Sequence, residues 1–242
     1  MASEQKTHEP VRDRTTTNPF SDVRIVESWR LNAQAWTVAV RKGQIESRKQ
    51  VTDQAIVDTI LSRSPVSVLD IGCGEGWLAR ELAARNIHVM GIDVVPSLIE
   101  EAQRAGGGDF RLMSYEEIAA GKLKVAVDVV VSNFALLGKE SVEGVFQAVP
   151  SLLSAHGTFV IQTLHPMMAC GDLPYQDGWR EGSWAGFSAD FANPAPWYFR
   201  TLESWMKLFV ENGFRRCEIR EPLHPKTHKP ASVIILGDRV RC

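Results

Sequence analysis

From Ser21 to Leu61 the apolar positions fall at helical spacing, with Val26, Trp29, Ala33, Trp36 and Val40 on one stripe and Ile56, Ile60 and Leu61 on a second. Such a stripe lets a helix bury one side, so the spacing predicts two helices here, the second opening at Thr52 as its start signal. Beyond Leu61 the pattern changes to short apolar runs alternating with amphipathic segments: VSVLDIG, LARELAARN, HVMGIDV, SLIEEAQRA, DFRLMS, VDVVVSN, VEGVFQAVPSLLS and GTFVIQTL. The apolar runs read as strands, and the helical segments between them supply the crossovers that consecutive parallel strands require. FRRCEIRE and ASVIILGDR then follow with only a Pro-rich connection between them, which leaves no room for a crossover helix. They are expected to pair antiparallel. The predicted fold is α/β, a doubly wound, mostly parallel seven-stranded sheet with the last strand antiparallel and helices on both faces.

Two stretches break the alternation. Residues 1–20 are polar, with a Thr run and two prolines and no apolar period to support packing, and are read as a flexible tail. After Leu164 comes HPMMACGDLPYQDGWREGSWAGFSADFANPAPWYFR, rich in Gly, Pro and aromatic rings. So long an irregular connection inside a compact domain is usually functional. TLESWMKLFVENGF resumes as an amphipathic helix stopped by Gly213. The expected organisation is a tail over 1–20, a helical cover over 21–64, and an α/β domain over 65–242 with an inserted lid at about 166–199.

Composition narrows the class. With 242 residues, 44% hydrophobic and 23% charged, the chain can bury a substantial core in one domain. A net charge of -2 without a long basic run gives no electrostatic footprint for nucleic acid, which favours a small-molecule partner. No apolar run is long enough to span a bilayer and the first twenty residues lack an apolar signal block, so a cytoplasmic protein is expected. Cys73, Cys170, Cys217 and Cys242 show no C-x-x-C spacing, so reduced thiols are expected and no metal site. Nothing distinguishes a monomer from a homodimer.

The chemistry concentrates in VLDIGCGEGWLARELA, Val68 to Ala83. Asp70 ends a strand, and Gly72, Gly74 and Gly76 form a turn whose missing β-carbons permit positive φ and let a ligand approach the main chain. The next strand ends in GID, placing the carboxylate of Asp93 where it could accept hydrogen bonds from two ribose hydroxyls; capping the following helix is its simpler role.

VLDIGCGEG, then GIDVVPSLIEEAQ, then VDVVVSNFALLG resemble the consecutive motifs of class I S-adenosylmethionine-dependent methyltransferases, over roughly Val66 to Leu164. That resemblance implies S-adenosylmethionine as cofactor, with Asp70 and the turn from Gly72 through Cys73 and Gly74 to Gly76 bordering its methionine part. It implies Asp93, with Val94 beside it, at the ribose. Met113, Ser114 and Tyr115 would flank the adenine, although many relatives carry Asp where Ser114 stands. Asn133 and Phe134 would sit beside the transferable methyl group. Relatives often close the site with an N-terminal helix, which brings in Trp36, with Arg41 and Arg48 as candidates for binding a carboxylate.

The main alternative is a nicotinamide-dependent oxidoreductase, whose G-x-G-x-x-G fingerprint would need glycine where Trp77 stands. Carboxylates at Asp70 and Glu75 beside the turn also suit a cationic sulfonium better than a pyrophosphate. A cofactor-binding protein without catalysis is a third reading. For the transfer itself, His165 follows the fifth strand and is the candidate general base, against a plain loop-anchoring role before Pro166. Trp179, Trp184 and Tyr198 in the aromatic connection, with Trp36, are candidates for the wall of an acceptor pocket; forming a small core within the loop is the alternative. The expected activity is methyl transfer to an oxygen or nitrogen of a small molecule, with RNA or protein as the alternative acceptor.

Overall fold

A computed structural model describes residues 18–239. The predicted tail at 1–20 lies almost entirely outside the described residues, as does Cys242. The chain opens with α1 (Asp22–Arg41), capped by the Ser21 side chain, and α2 (Asp53–Leu61). The two-layer alternation follows as β1 (Ser67–Ile71), α3 (Trp77–Ala83), β2 (His88–Asp93), α4 (Pro96–Ala105), β3 (Asp109–Leu112), α5 (Tyr115–Ala119), β4 (Val127–Asn133), α6 (Glu140–Leu152) and β5 (Leu153–Thr163). After β5 come α7 (Pro166–Ala169), the strands β6 (Gly178–Arg180) and β7 (Trp197–Phe199), α8 (Leu202–Glu211), β8 (Phe214–Arg220) and β9 (Val233–Arg239).

The main sheet has seven strands in the order β3-β2-β1-β4-β5-β9-β8. All neighbours from β3 to β5 run parallel, and β9 runs antiparallel to both β5 and β8. The pairing between the last two strands follows from their Pro-rich connection, and it makes β9 the one reversed strand. Side chains alternate across the pleat, so each central strand feeds two cores. Leu69, Ile71, Val130, Phe159 and Ile161 face α6 and α8, where they meet Phe146, Phe209 and Trp205. Val68, Val129, Val131 and Val160 face the other way, against Ile56 and Ile60 of α2 and Leu78 and Leu82 of α3.

Two local features differ from the sequence reading. Thr52 does not start a helix: it has αR backbone, its side chain makes no capping bond, and the chain is already helical through a π-helical turn, Arg48–Thr52. The wider turn brings the Arg48 guanidinium against the Trp77 and Trp36 rings, 4.6 and 5.6 Å from their centroids. The connection after Leu164 is not wholly irregular either, since β6 and β7 pair antiparallel as a small separate sheet.

Candidate functional site

The glycine turn sits at the carboxyl end of β1, the sheet edge where ligands bind in open α/β folds. Gly72 and Cys73 both donate to the Ile92 carbonyl, at 2.8 and 3.0 Å, which locks the turn onto β2. Gly74 N donates to Asp93 Oδ2 at 3.0 Å, and Asp93 Oδ1 accepts from Val95 N at 2.9 Å. Asp93 therefore braces the turn and the entry to α4 together. Burial raises its carboxyl pKa, and the backbone donors of Val95, Gly74 and Val94 oppose that rise.

The three glycines serve different ends. Gly74, at φ +56°, has only Trp36 Nε1 near its bare face, 3.5 Å from where a β-carbon would stand. Gly76, at φ +82°, makes room for protein instead, since a β-carbon there would lie 2.9 Å from Phe110 Cζ. Gly72 is closed over by Ala135 and the Tyr115 hydroxyl.

A cleft with about 810 Å³ of atom-free space, its open mouth included, lies beyond this turn. Of the sequence-predicted cofactor residues, Gly72, Gly74, Asp93 and Val94 form its floor, and Ser114, Tyr115, Asn133 and Phe134 its sides. Phe134 holds a left-handed φ of 55°, and Asn133 Oδ1 is buried there without a hydrogen-bond partner among the described residues. Ser114 caps α5 through a capping box with Glu117. Tyr115 reaches across from the end of β3, and its hydroxyl donates to the Ala135 carbonyl at 3.2 Å. It thus lies at the glycine turn as well as on the side expected for adenine.

Other candidates stand behind the wall. Asp70, Cys73, Gly76 and Met113 do not line the cleft: Cys73 is buried, and Met113 packs on the core below. Asp70 is buried too, and desolvation first, then the neighbouring Asp93, push its carboxyl up to about 7. Glu75 corrects the charge reading. Its carboxylate is fully enclosed and bound by Arg80 Nη2 at 2.7 Å and Arg41 Nε at 2.9 Å, so it offers no free charge to a ligand. Arg41 also pairs with Glu101 at 2.8 Å and Arg48 with Asp53 at 2.9 Å, so both arginines already have carboxylate partners.

The roof comes from α1, which contributes Asp22, Ile25, Val26, Trp29 and Trp36 to the lining. Trp36 alone of the four aromatic acceptor-pocket candidates is on this wall. Trp184 stacks edge-on to Trp29 at 5.8 Å, and Trp29 to Trp36 at 5.1 Å, so Trp184 stands one ring behind the wall. It also clusters with Phe187 and Phe191 at 5.3 and 4.8 Å, giving the inserted segment a small core of its own. Trp179 and Tyr198 face each other across the β6–β7 pair at 5.6 Å. The inserted segment is sewn to α1 by Asn32, which donates to Ala192 O and accepts from Ala192 N at 2.7 and 2.9 Å, and by Ser28, which donates to Asn193 O at 2.6 Å.

His165 lies off this cleft as well. Its ring is buried, Nε2 meets Glu221 Oε1 at 2.7 Å, and Nδ1 has no partner among the described residues. This geometry ties the start of the inserted segment to the connection between β8 and β9. Sequence reading did not find Asp22, Ile25, Val26, Gly138 or Ser141 on the lining, and it placed Trp29 only on the apolar stripe of a helix. Helical spacing on α1 was the available signal for the roof, but it does not say what lies beneath the stripe.

An open α/β sheet with a braced glycine turn, an acidic residue ending the second strand and a cleft at the carboxyl edge defines a domain of Rossmann-like build. Residues 68–157 match the family model described as a methyltransferase domain. An uncharacterized methyltransferase of Mycobacterium tuberculosis is 30% identical over 110 residues, 45% of this chain and 56% of that protein. A ubiquinone biosynthesis O-methyltransferase of Xylella fastidiosa is 31% identical over 114 residues, 45% of this chain and 46% of that one. The match thus spans about half the length of these curated relatives. The crystal structure of magnesium protoporphyrin IX methyltransferase from Synechocystis with bound SAH superposes with a TM-score of 0.61 at 17% identity, covering 90% of this chain and 98% of that one. Residues 68–157 thus match the methyltransferase domain family, and the fold is that of solved S-adenosylmethionine-dependent methyltransferases.

Proposed function

We propose that this protein transfers the methyl group of S-adenosylmethionine to an oxygen or nitrogen of a small-molecule acceptor. The observation that carries the reading is Asp93, a buried carboxylate on the cleft floor whose two oxygens each take one backbone donor and keep further acceptor capacity for ribose hydroxyls. The residues present suit the cofactor in two further respects. Among the described residues no Lys, Arg or His lines the cleft whereas Asp93 does, with Asp70 behind the turn able to ionise toward a cationic ligand, and Asn133 Oδ1 is buried without a donor. Asp93 with Val94 would hold the ribose, Ser114 and Tyr115 the base, and Gly72, Gly74 and Asn133 the amino-acid end. When bound, the cofactor supplies an electrophilic methyl on a sulfonium.

The chain's own part is alignment and exclusion of water. Phe134 and Ala135 follow β4 at the cleft side, and Ile25, Val26 and Trp29 cover it with apolar surface, so an acceptor is held in a partly dry space and oriented for in-line displacement. A roof built from α1, held from behind by the inserted segment, favours an acceptor small enough to be enclosed. His165 acts as an anchor for the inserted segment rather than as the base, because its Nε2 is engaged by Glu221 away from the cleft. Incubation with methyl-labelled cofactor and fractionated cell extract tests the reading: label should enter low-molecular-mass products. Label appearing in RNA or protein would refute the small-molecule assignment, and absence of cofactor binding by calorimetry would refute the reading altogether.

A further inference from the structure

Helix α6 receives no capping bond from Lys139 at its N-cap position, whose Nζ pairs instead with the carboxylates of Glu140 and Glu143. The free N–H groups are taken by a residue more than a hundred positions upstream: Asp22 Oδ1 accepts from Lys139 N at 3.1 Å and Oδ2 from Ser141 N at 2.8 Å. Charge and helix dipole reinforce both bonds. Gly138 makes the reach possible, because a β-carbon there would overlap both Asp22 Oδ1 and Ser141 Oγ. Asp22 stands in the first turn of α1, the helix that roofs the cleft. From the opposite side, Arg200 donates to Gly138 O and Lys139 O at 2.8 and 3.0 Å, and Tyr198 N donates to Leu137 O at 2.7 Å. The loop over 134–139 is therefore pinned through its N–H side by α1 and through its carbonyl side by the base of the inserted segment.

We propose that Asp22 is a positioning residue: its carboxylate, seated in the notch left by Gly138, latches α1 onto α6 and fixes the gap between Trp29 and Trp36 above and Asn133 and Phe134 beside the bound cofactor. The effect on ligand rests on the S-adenosylmethionine reading of the cleft; the latch itself does not. Breaking the latch lowers the population in which α1 covers the cleft, and apparent affinity falls by that fraction. Asp22 acts through α1 and the 134–139 loop, so its loss is felt as misplacement of both walls.

Hydrogen exchange and calorimetry on the full chain test this, with S-adenosylhomocysteine as the probe. In Asp22→Ala the amides of Lys139 and Ser141 should exchange roughly tenfold faster, and probe affinity should fall roughly tenfold. Asp22→Asn keeps an acceptor oxygen and should recover part of both effects. Gly138→Ala fills the notch and should reproduce Asp22→Ala by an independent route, which also serves if Asp22→Ala fails to fold. Ile60→Val, a core truncation on the opposite face of the sheet, should lower stability without either effect. Unchanged exchange at Lys139 and Ser141, or a wild-type Gly138→Ala, overturns the latch. Faster exchange with unchanged affinity overturns the positioning role. If the wild-type chain does not bind the probe at all, the cofactor reading fails while the exchange result still decides the latch.

Discussion

Asp70→Asn probes the electrostatics of the turn most directly. The Asp70 side chain is 2% exposed and makes no hydrogen bond or ion pair among the described residues. Burial first, and Asp93 second, raise its carboxyl from 3.8 to about 7. Between those values the native protein keeps a proton that the unfolded chain has released, so stability falls as pH climbs through the interval and levels off above it. A shift of about three units corresponds to about 4 kcal/mol at full ionisation. Asparagine cannot ionise and escapes this cost. The unfolding free energy of Asp70→Asn relative to wild type, from urea titrations between about pH 5 and pH 8, should therefore rise with pH by roughly 2.5 kcal/mol, the remainder of the shift having developed below pH 5. Any constant offset from the amide cancels, because only the slope is compared. A cationic ligand beside the turn would also draw Asp70 toward its charged form. Wild-type affinity for S-adenosylmethionine should thus increase as pH rises through 7, with proton release on binding, and the variant should lose that dependence. Parallel stability curves for the two proteins would refute the reasoning.

Asp93→Asn, which keeps the shape but not the charge, should weaken S-adenosylhomocysteine binding roughly 10- to 100-fold by calorimetry; an unaltered constant would remove Asp93 from the ribose site. Gly76→Ala places a methyl 2.9 Å from Phe110 Cζ at φ +82° and should cost about 1–3 kcal/mol in a urea melt, an unmoved midpoint being the contrary result. His165→Ala removes the contact with Glu221 and should cost about 1 kcal/mol of stability while leaving the pH dependence of kcat/KM as it is; loss of one limb of that profile would restore His165 as a proton acceptor.

The sheet was readable because VDVVVSN and VSVLDIG are apolar on both faces and separated by helix-period segments, which leaves few ways to arrange them. The reversed strand was readable from the length of one Pro-rich connection. Asp93 and the turn residues on the cleft floor followed from spacing along a single βαβ unit, where near neighbours in sequence are near neighbours in space. What was misread or missed has other causes. Glu75 reads as a free carboxylate beside the turn until Arg41, from a helix that precedes it by a whole domain layer, closes over it. Asp22 finds its partners 117 and 119 residues downstream, and no local pattern announces that. Thr52 is an ordinary start signal by composition, yet the π-helical turn before it carries the helix through. For Glu75 and Asp22 a contact distant in sequence decided the role, and for Thr52 the backbone of the turn just before it did.

The stitching of Asn32 to Ala192 joins positions 160 residues apart. Loop closure on that scale carries a large entropic cost unless the intervening strands already hold the two segments side by side. The order of assembly during refolding is thereby constrained: the sheet condenses first, and the pairing of Trp29 with Trp184 comes after it. Indole fluorescence from that pair should lag behind the far-ultraviolet circular dichroism of the sheet and helices, giving a kinetic signature of when the chain becomes able to enclose a guest.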